Sequence, residues 1–67
     1  MITIKVNERI EQVEKGISLQ TALDTLNIQQ NGIAVAVNQQ IISKTDWLTK
    51  NVESNDELLI IKATQGG

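Results

Sequence analysis

Ser18-Leu19-Gln20-Thr21-Ala22-Leu23-Asp24-Thr25-Leu26 carries the one helical pattern around which the other elements of the chain fall into place. Its apolar residues Leu19, Ala22, Leu23 and Leu26 recur at i, i+3, i+4 and i+7, a spacing that paints a single stripe along a helix. Ser18 stands directly before the stripe as the natural N-cap. Its hydroxyl can accept a hydrogen bond from an otherwise unpaired first-turn N–H, worth about 1 kcal/mol. Thr21 sits where a capping box would place Glu or Gln, so the box is incomplete. Asn27 closes the helix, because asparagine tolerates the left-handed conformation found at helix ends.

Outside this helix the chain reads as strands. Toward the N-terminus, Gly16 breaks the pattern, and Ile10 and Val13 lie three apart, a spacing that departs from strict alternation and suggests a bulged second strand over 10–14. Asn7-Glu8-Arg9 is a polar break of hairpin length, and before it Ile2, Ile4 and Val6 alternate with Thr3, Lys5 and Asn7 as in a half-buried strand. Toward the C-terminus, Gln29-Gln30-Asn31-Gly32 is a turn leading into Ile33-Ala34-Val35-Ala36-Val37, with branched residues on one face and alanines on the other. Asn38-Gln39-Gln40 turns the chain into a short strand at Ile41-Ile42. Residues 43–50 read as a loop with one helical turn near 45–48, Val52 as an anchor, and Glu53-Ser54-Asn55-Asp56 as a turn. The last strand, 57–62, is apolar at both parities through Leu58-Leu59-Ile60-Ile61; with one helix to cover the sheet, one apolar face is left open. Ala63-Thr64-Gln65-Gly66-Gly67 has no apolar anchor and reads as a mobile tail.

Composition bounds what such a chain can do. Its 67 residues make one small domain, 40% hydrophobic and 21% charged, with six basic and eight acidic side chains and a formal charge of −2. There is no Cys and no His, so disulfides, the usual zinc ligands, a thiolate nucleophile and the general base of hydrolytic triads are all missing. Self-contained catalysis is not expected, and no cofactor or metal site on the chain is expected. Net acidity and a single aromatic, Trp47, argue against nucleic acid. The longest apolar runs fall far short of the roughly 20 residues that span a bilayer, and the opening MITIKVNER alternates instead of forming the apolar core of a leader, so a cytoplasmic protein without membrane contact is expected.

The order strand, strand, helix, strand, strand, strand, followed by Gly66-Gly67, resembles a ubiquitin-like β-grasp domain, and within it the ThiS family of sulfur carriers of thiamin biosynthesis. The similarity covers the whole chain: the opening hairpin, the 18–23 helix start, the 34–42 segment, Trp47, Asp56 and the terminal glycines. Two loops depart from the family pattern, at Ser43-Lys44, where the family often has Pro before the basic residue, and at Ser54-Asn55-Asp56, where it often has Asp-Gly-Asp. The resemblance implies an α+β fold with a mixed sheet of about five strands packed on one α-helix, a domain over 1–63 and a flexible tail over 64–67.

It also implies a chemistry. The reactive group is the α-carboxylate of Gly67, at neutral pH an unreactive anion with a reference pKa of about 3.5. A ThiF-like enzyme would use MgATP to adenylate it. A sulfur donor system, such as a cysteine desulfurase, would then replace AMP to leave a thiocarboxylate, and a ThiG-like thiazole synthase would take the sulfur. Gly66 and Gly67 lack Cβ, so the tail can thread a narrow channel toward the nucleotide. Local charge does not settle the parity of the last strand, but the resemblance favours Leu58 and Ile60 inward. Leu59 and Ile61, with Ala34 and Ala36 beside them, then make an apolar docking patch.

Other readings stand beside this one. A MoaD-like carrier for molybdopterin synthesis would use the same Gly67 thiocarboxylate; a ubiquitin-like modifier would end in an isopeptide bond; a β-grasp binding module would not need its tail at all. Trp47 reads as packing in preference to a partner anchor. Glu53, Asp56 and Glu57 read as solvated turn charges in preference to a cation site.

Overall fold

The alternation at Ile2, Ile4 and Val6 becomes β1 (Ile2–Val6) in a computed structural model that describes residues 1–62. After it come β2 (Arg9–Val13), α1 (Leu19–Thr25), β3 (Ile33–Val37), β4 (Gln40–Ile42), a 3-10 turn at Lys44–Asp46 and β5 (Glu57–Lys62). The strands form one mixed sheet in the order β2-β1-β5-β3-β4, in which β1 and β5 are parallel and the other neighbours antiparallel. A parallel pair cannot be joined by a tight turn, so the chain between them must leave the sheet and return. It does so over one face through α1.

The β1–β2 hairpin corrects one expectation. Its register runs without interruption from Ile2↔Val13 to Val6↔Arg9, so there is no bulge. Ile10 and Val13 are three apart because they lie on opposite faces: Val13 is buried under α1, whereas Ile10 pairs with Lys5 on the exposed side. A strand whose inner positions include the polar Glu11 and whose outer ones include an isoleucine hides its period from a reading of residue type alone.

The helix forms as its stripe dictates. Ser18 accepts a hydrogen bond from the Thr21 N–H at 3.1 Å, and Leu19, Ala22 and Leu23 are fully buried. Asn27 takes φ +58, and the N–H groups of Asn27 and Ile28 return to the carbonyls of Asp24 and Leu23. This is the Schellman arrangement, which satisfies carbonyls that the helix end would otherwise leave open. Against this stripe pack Ile4, Val6, Val13, Val35, Val37 and Leu58 from the sheet, with Trp47 and Val52 closing one side.

Trp47 is a packing residue, 1% exposed, and its indole N–H donates to the Ile42 carbonyl at 3.0 Å. The helical turn expected near 45–48 is present at Lys44–Asp46, beginning one residue earlier. Asp56 differs from its reading as a solvated charge, since it is only 8% exposed. Its carboxylate accepts from Asn38 Nδ2 at 2.9 Å and from the Glu53 N–H at 2.8 Å, while Asn38 Oδ1 accepts from the Glu57 N–H at 2.9 Å. Burial is tolerated because both carboxylate oxygens are satisfied. The network ties the β3–β4 turn to the start of β5, and Glu53 and Glu57 stay exposed.

Candidate functional site

Two features of β5 build the candidate site: the face it turns away from the helix, and the point where it hands the chain on to residues 63–67. The face is set by register. Leu58 pairs with Val37 and Ile60 with Val35, which puts both on the helix side, and Leu58 is buried there. Leu59 and Ile61 are therefore thrown outward, 51% and 43% exposed, opposite Ala36 and Ala34. The parity is the one that the resemblance favoured.

The four patch residues are not equivalent. Ala34 is half-buried, and Ala36 is only 4% exposed, so it is not itself a contact surface. Ala36 lies between Leu59 on one neighbour and Ile41 on the other, and their larger side chains roof its methyl group. Alanine there makes the floor of a shallow apolar strip whose walls are Leu59, Ile61 and Ile41. Ile41, 61% exposed, is the member that reading the sequence missed. The available signal was the two-residue turn at Asn38-Gln39, where both residues take positive φ as in a type I′ turn. Such a turn puts Val37 opposite Gln40 and hence Ala36 opposite Ile41. Beside the strip run the exposed charges Lys5 and Glu57, paired in the β1–β5 ladder.

The exit of β5 is held by Asn7. The β1–β5 ladder stops at Val6↔Leu58 because β1 turns away into its hairpin, a turn that Asn7 makes with φ +55. From there the Asn7 N–H donates to the Leu58 carbonyl at 2.8 Å, and Asn7 Oδ1 accepts from the Ile60 N–H at 2.8 Å. One side chain thus continues the ladder for another step and steadies the strand that leads into the tail. Gly66 and Gly67, the residues expected to carry and thread the reactive carboxylate, lie outside the described residues.

Nothing else in the described part competes as a reaction centre. A groove of about 330 Å³ lies between Ile2, Lys15, Gly16 and 51–54, at the end of the sheet opposite to the one where β5 finishes. Among the described residues no group of three or more Asp or Glu side chains is placed to hold a metal ion. No helix among them is long and apolar enough to cross a membrane.

The ThiS family model matches residues 2–67. The chain belongs to the ThiS family of sulfur carriers. Among ThiS relatives, the sulfur carrier protein ThiS of Escherichia coli (strain K12) is 31% identical over 64 residues, covering 96% of this chain and 97% of that protein. The crystal structure of the thiamine biosynthesis protein ThiS from Geobacter metallireducens superimposes with a TM-score of 0.86 at 17% identity, over 98% of this chain and all of that one. At that identity the second likeness bears on the fold alone, and it agrees with the ThiS β-grasp arrangement derived above.

Proposed function

We propose that this ThiS-family chain carries sulfur for the thiazole ring of thiamin on the C-terminal carboxylate of Gly67. The observation that supports it most is the family match, which runs from Ile2 through Gly66 and Gly67. The composition agrees with it: a chain without Cys or His has no side chain able to hold a persulfide and no usual base to activate its own terminus. Activation must come from a partner. A ThiF-like enzyme supplies MgATP; a Gly67 carboxylate oxygen attacks the α-phosphorus, pyrophosphate leaves, and an acyl-adenylate forms. Persulfide sulfur from a cysteine desulfurase system then adds at the carbonyl carbon and AMP leaves; a thiol cleaves the S–S bond of the resulting acyl disulfide, giving the thiocarboxylate and a disulfide. A ThiG-like thiazole synthase is the acceptor, and the cytoplasm, where ATP is available, is the compartment.

In this reading the domain is a handle and the tail is the reagent. Leu59, Ile61 and Ile41, over the Ala34–Ala36 floor, dock the activating enzyme, and Asn7 steadies the strand that aims the tail. Gly66 and Gly67 let the backbone approach the nucleotide without a Cβ in the way.

The test is intact mass after incubation with a ThiF-like enzyme, MgATP and a sulfur donor. The chain should gain the difference between sulfur and oxygen, and fragmentation should place it on Gly67. Deleting Gly67 draws the carboxylate back by up to about 3.6 Å, enough to destroy near-attack geometry, and should abolish loading. Sulfur found elsewhere, or normal loading of the deletion variant, would return the chain to the class of β-grasp binding modules.

A further inference from the structure

The connection from α1 to β3 contains Asn31-Gly32, the only asparagine of this chain that is followed by glycine. Both residues are exposed, and Gly32 takes φ +67. Neither the Asn31 carboxamide nor the Gly32 N–H has a hydrogen-bond partner among the described residues. The other asparagines are placed differently. Asn7, Asn27, Asn38, Asn51 and Asn55 precede Glu8, Ile28, Gln39, Val52 and Asp56, whose side chains flank the next backbone nitrogen. The amides of Asn7 and Asn38 are held in hydrogen bonds besides.

We propose that Asn31 is a site of self-modification, converting without an enzyme to aspartate and isoaspartate. The backbone nitrogen of Gly32 attacks Asn31 Cγ; an N–Cγ bond forms, the Cγ–Nδ2 bond breaks, the amide proton passes to water, and the side-chain nitrogen leaves as ammonia. The product is a five-membered succinimide. Water then opens the ring at either carbonyl: cleavage of the N–Cγ bond restores a normal backbone with Asp, and cleavage of the bond to the main-chain carbonyl carbon leaves isoaspartate. The net change is amide plus water to carboxylic acid plus ammonia, so no oxidant or co-reactant is needed. Ring closure is favoured because attacking and attacked atoms belong to adjacent residues, and because Gly32 has no Cβ to shield its nitrogen. An exposed turn in which neither the Asn31 carboxamide nor the Gly32 N–H has a partner among the described residues has little local structure there to open first.

Position gives the change a consequence. Residue 31 lies two before Ile33, whose partner in the sheet is Lys62, the last described residue before the tail. Conversion adds a negative charge at that end of β3, and the isoaspartyl product adds one carbon to the main chain there. Among the described residues the ladder begins at Ile33, outside residue 31, so the domain stays folded.

The experiment holds the full chain at mildly alkaline pH beside a peptide of residues 29–34. Products are read by peptide mass mapping and by labelling with an isoaspartyl methyltransferase. Residue 31 should convert before any other asparagine, giving both products, at a rate within about tenfold of the peptide, a barrier difference of at most about 1.4 kcal/mol. Asn31→Gln, which cannot close a five-membered ring, should melt like the parent and lose the methyl label. Earlier conversion at another asparagine, label persisting in Asn31→Gln, or an intact Asn31 when the peptide is fully converted would each overturn the proposal.

Discussion

At the scale of single residues, the most telling case is Asp56. Its type and its neighbours Ser54 and Asn55 announce a turn, and a turn it is, with Asn55 at φ +70. What they do not announce is that the carboxylate points inward to a partner eighteen positions away, Asn38. Asp56→Ala would leave Asn38 Nδ2 and the Glu53 N–H without their acceptor, and it should cost roughly 2–3 kcal/mol. A urea melt checks this, and an unchanged midpoint would show that the two loops hold their positions unaided. Ala36 teaches the same lesson from the other side. Its place on the outward face was legible in the alternation of large and small residues, but its burial depends on Ile41 and Leu59, which only pairing brings beside it.

At the scale of elements, α1 and β5 differ in how much of themselves they disclose. The helix stripe has one periodicity and one solution, so Leu23→Ala, like Ile4→Ala on the strand beneath, should cost about 2–5 kcal/mol by opening a cavity in the core. Wild-type stability in either variant would mean the proposed facing is wrong. β5 is apolar at both parities, and residue type cannot tell its faces apart. Register can. Leu58→Glu should abolish folding by placing an unpaired charge in the core, whereas Leu59→Glu and Ile61→Glu should fold normally and weaken the complex with a ThiF-like enzyme. Circular dichroism beside binding calorimetry separates these outcomes, and tight binding by both outward variants would remove the strip from the docking surface.

At the scale of the whole molecule, a chain of 67 residues has a stability on the order of 3–10 kcal/mol, with no cysteine to supplement its core by a disulfide. Ile4→Ala and Leu23→Ala together approach that total, so the double variant should show no cooperative melt at all. Removing Gly66 and Gly67, by contrast, takes away no apolar side chain and should leave the melting temperature unchanged. A large drop on truncation would mean that the tail packs on the domain.

The number and order of elements, the helix with both of its ends, the aliphatic core and the ThiS resemblance are all legible in the order of the residues. Each of these rests on neighbours within a few positions, where periodicity, capping and turn chemistry act. The unbroken β1–β2 register, the burial of Asp56, the outward parity of Leu59 and Ile61 within the described residues, and the presence of Ile41 beside them are set by the assembled sheet. Each of those depends on which strand lies next to which. The physical reason is that a strand with apolar residues on both faces is energetically indifferent to a one-residue slip until its neighbours, here Val35 and Val37 on one side and Val6 on the other, decide which face lies under the helix.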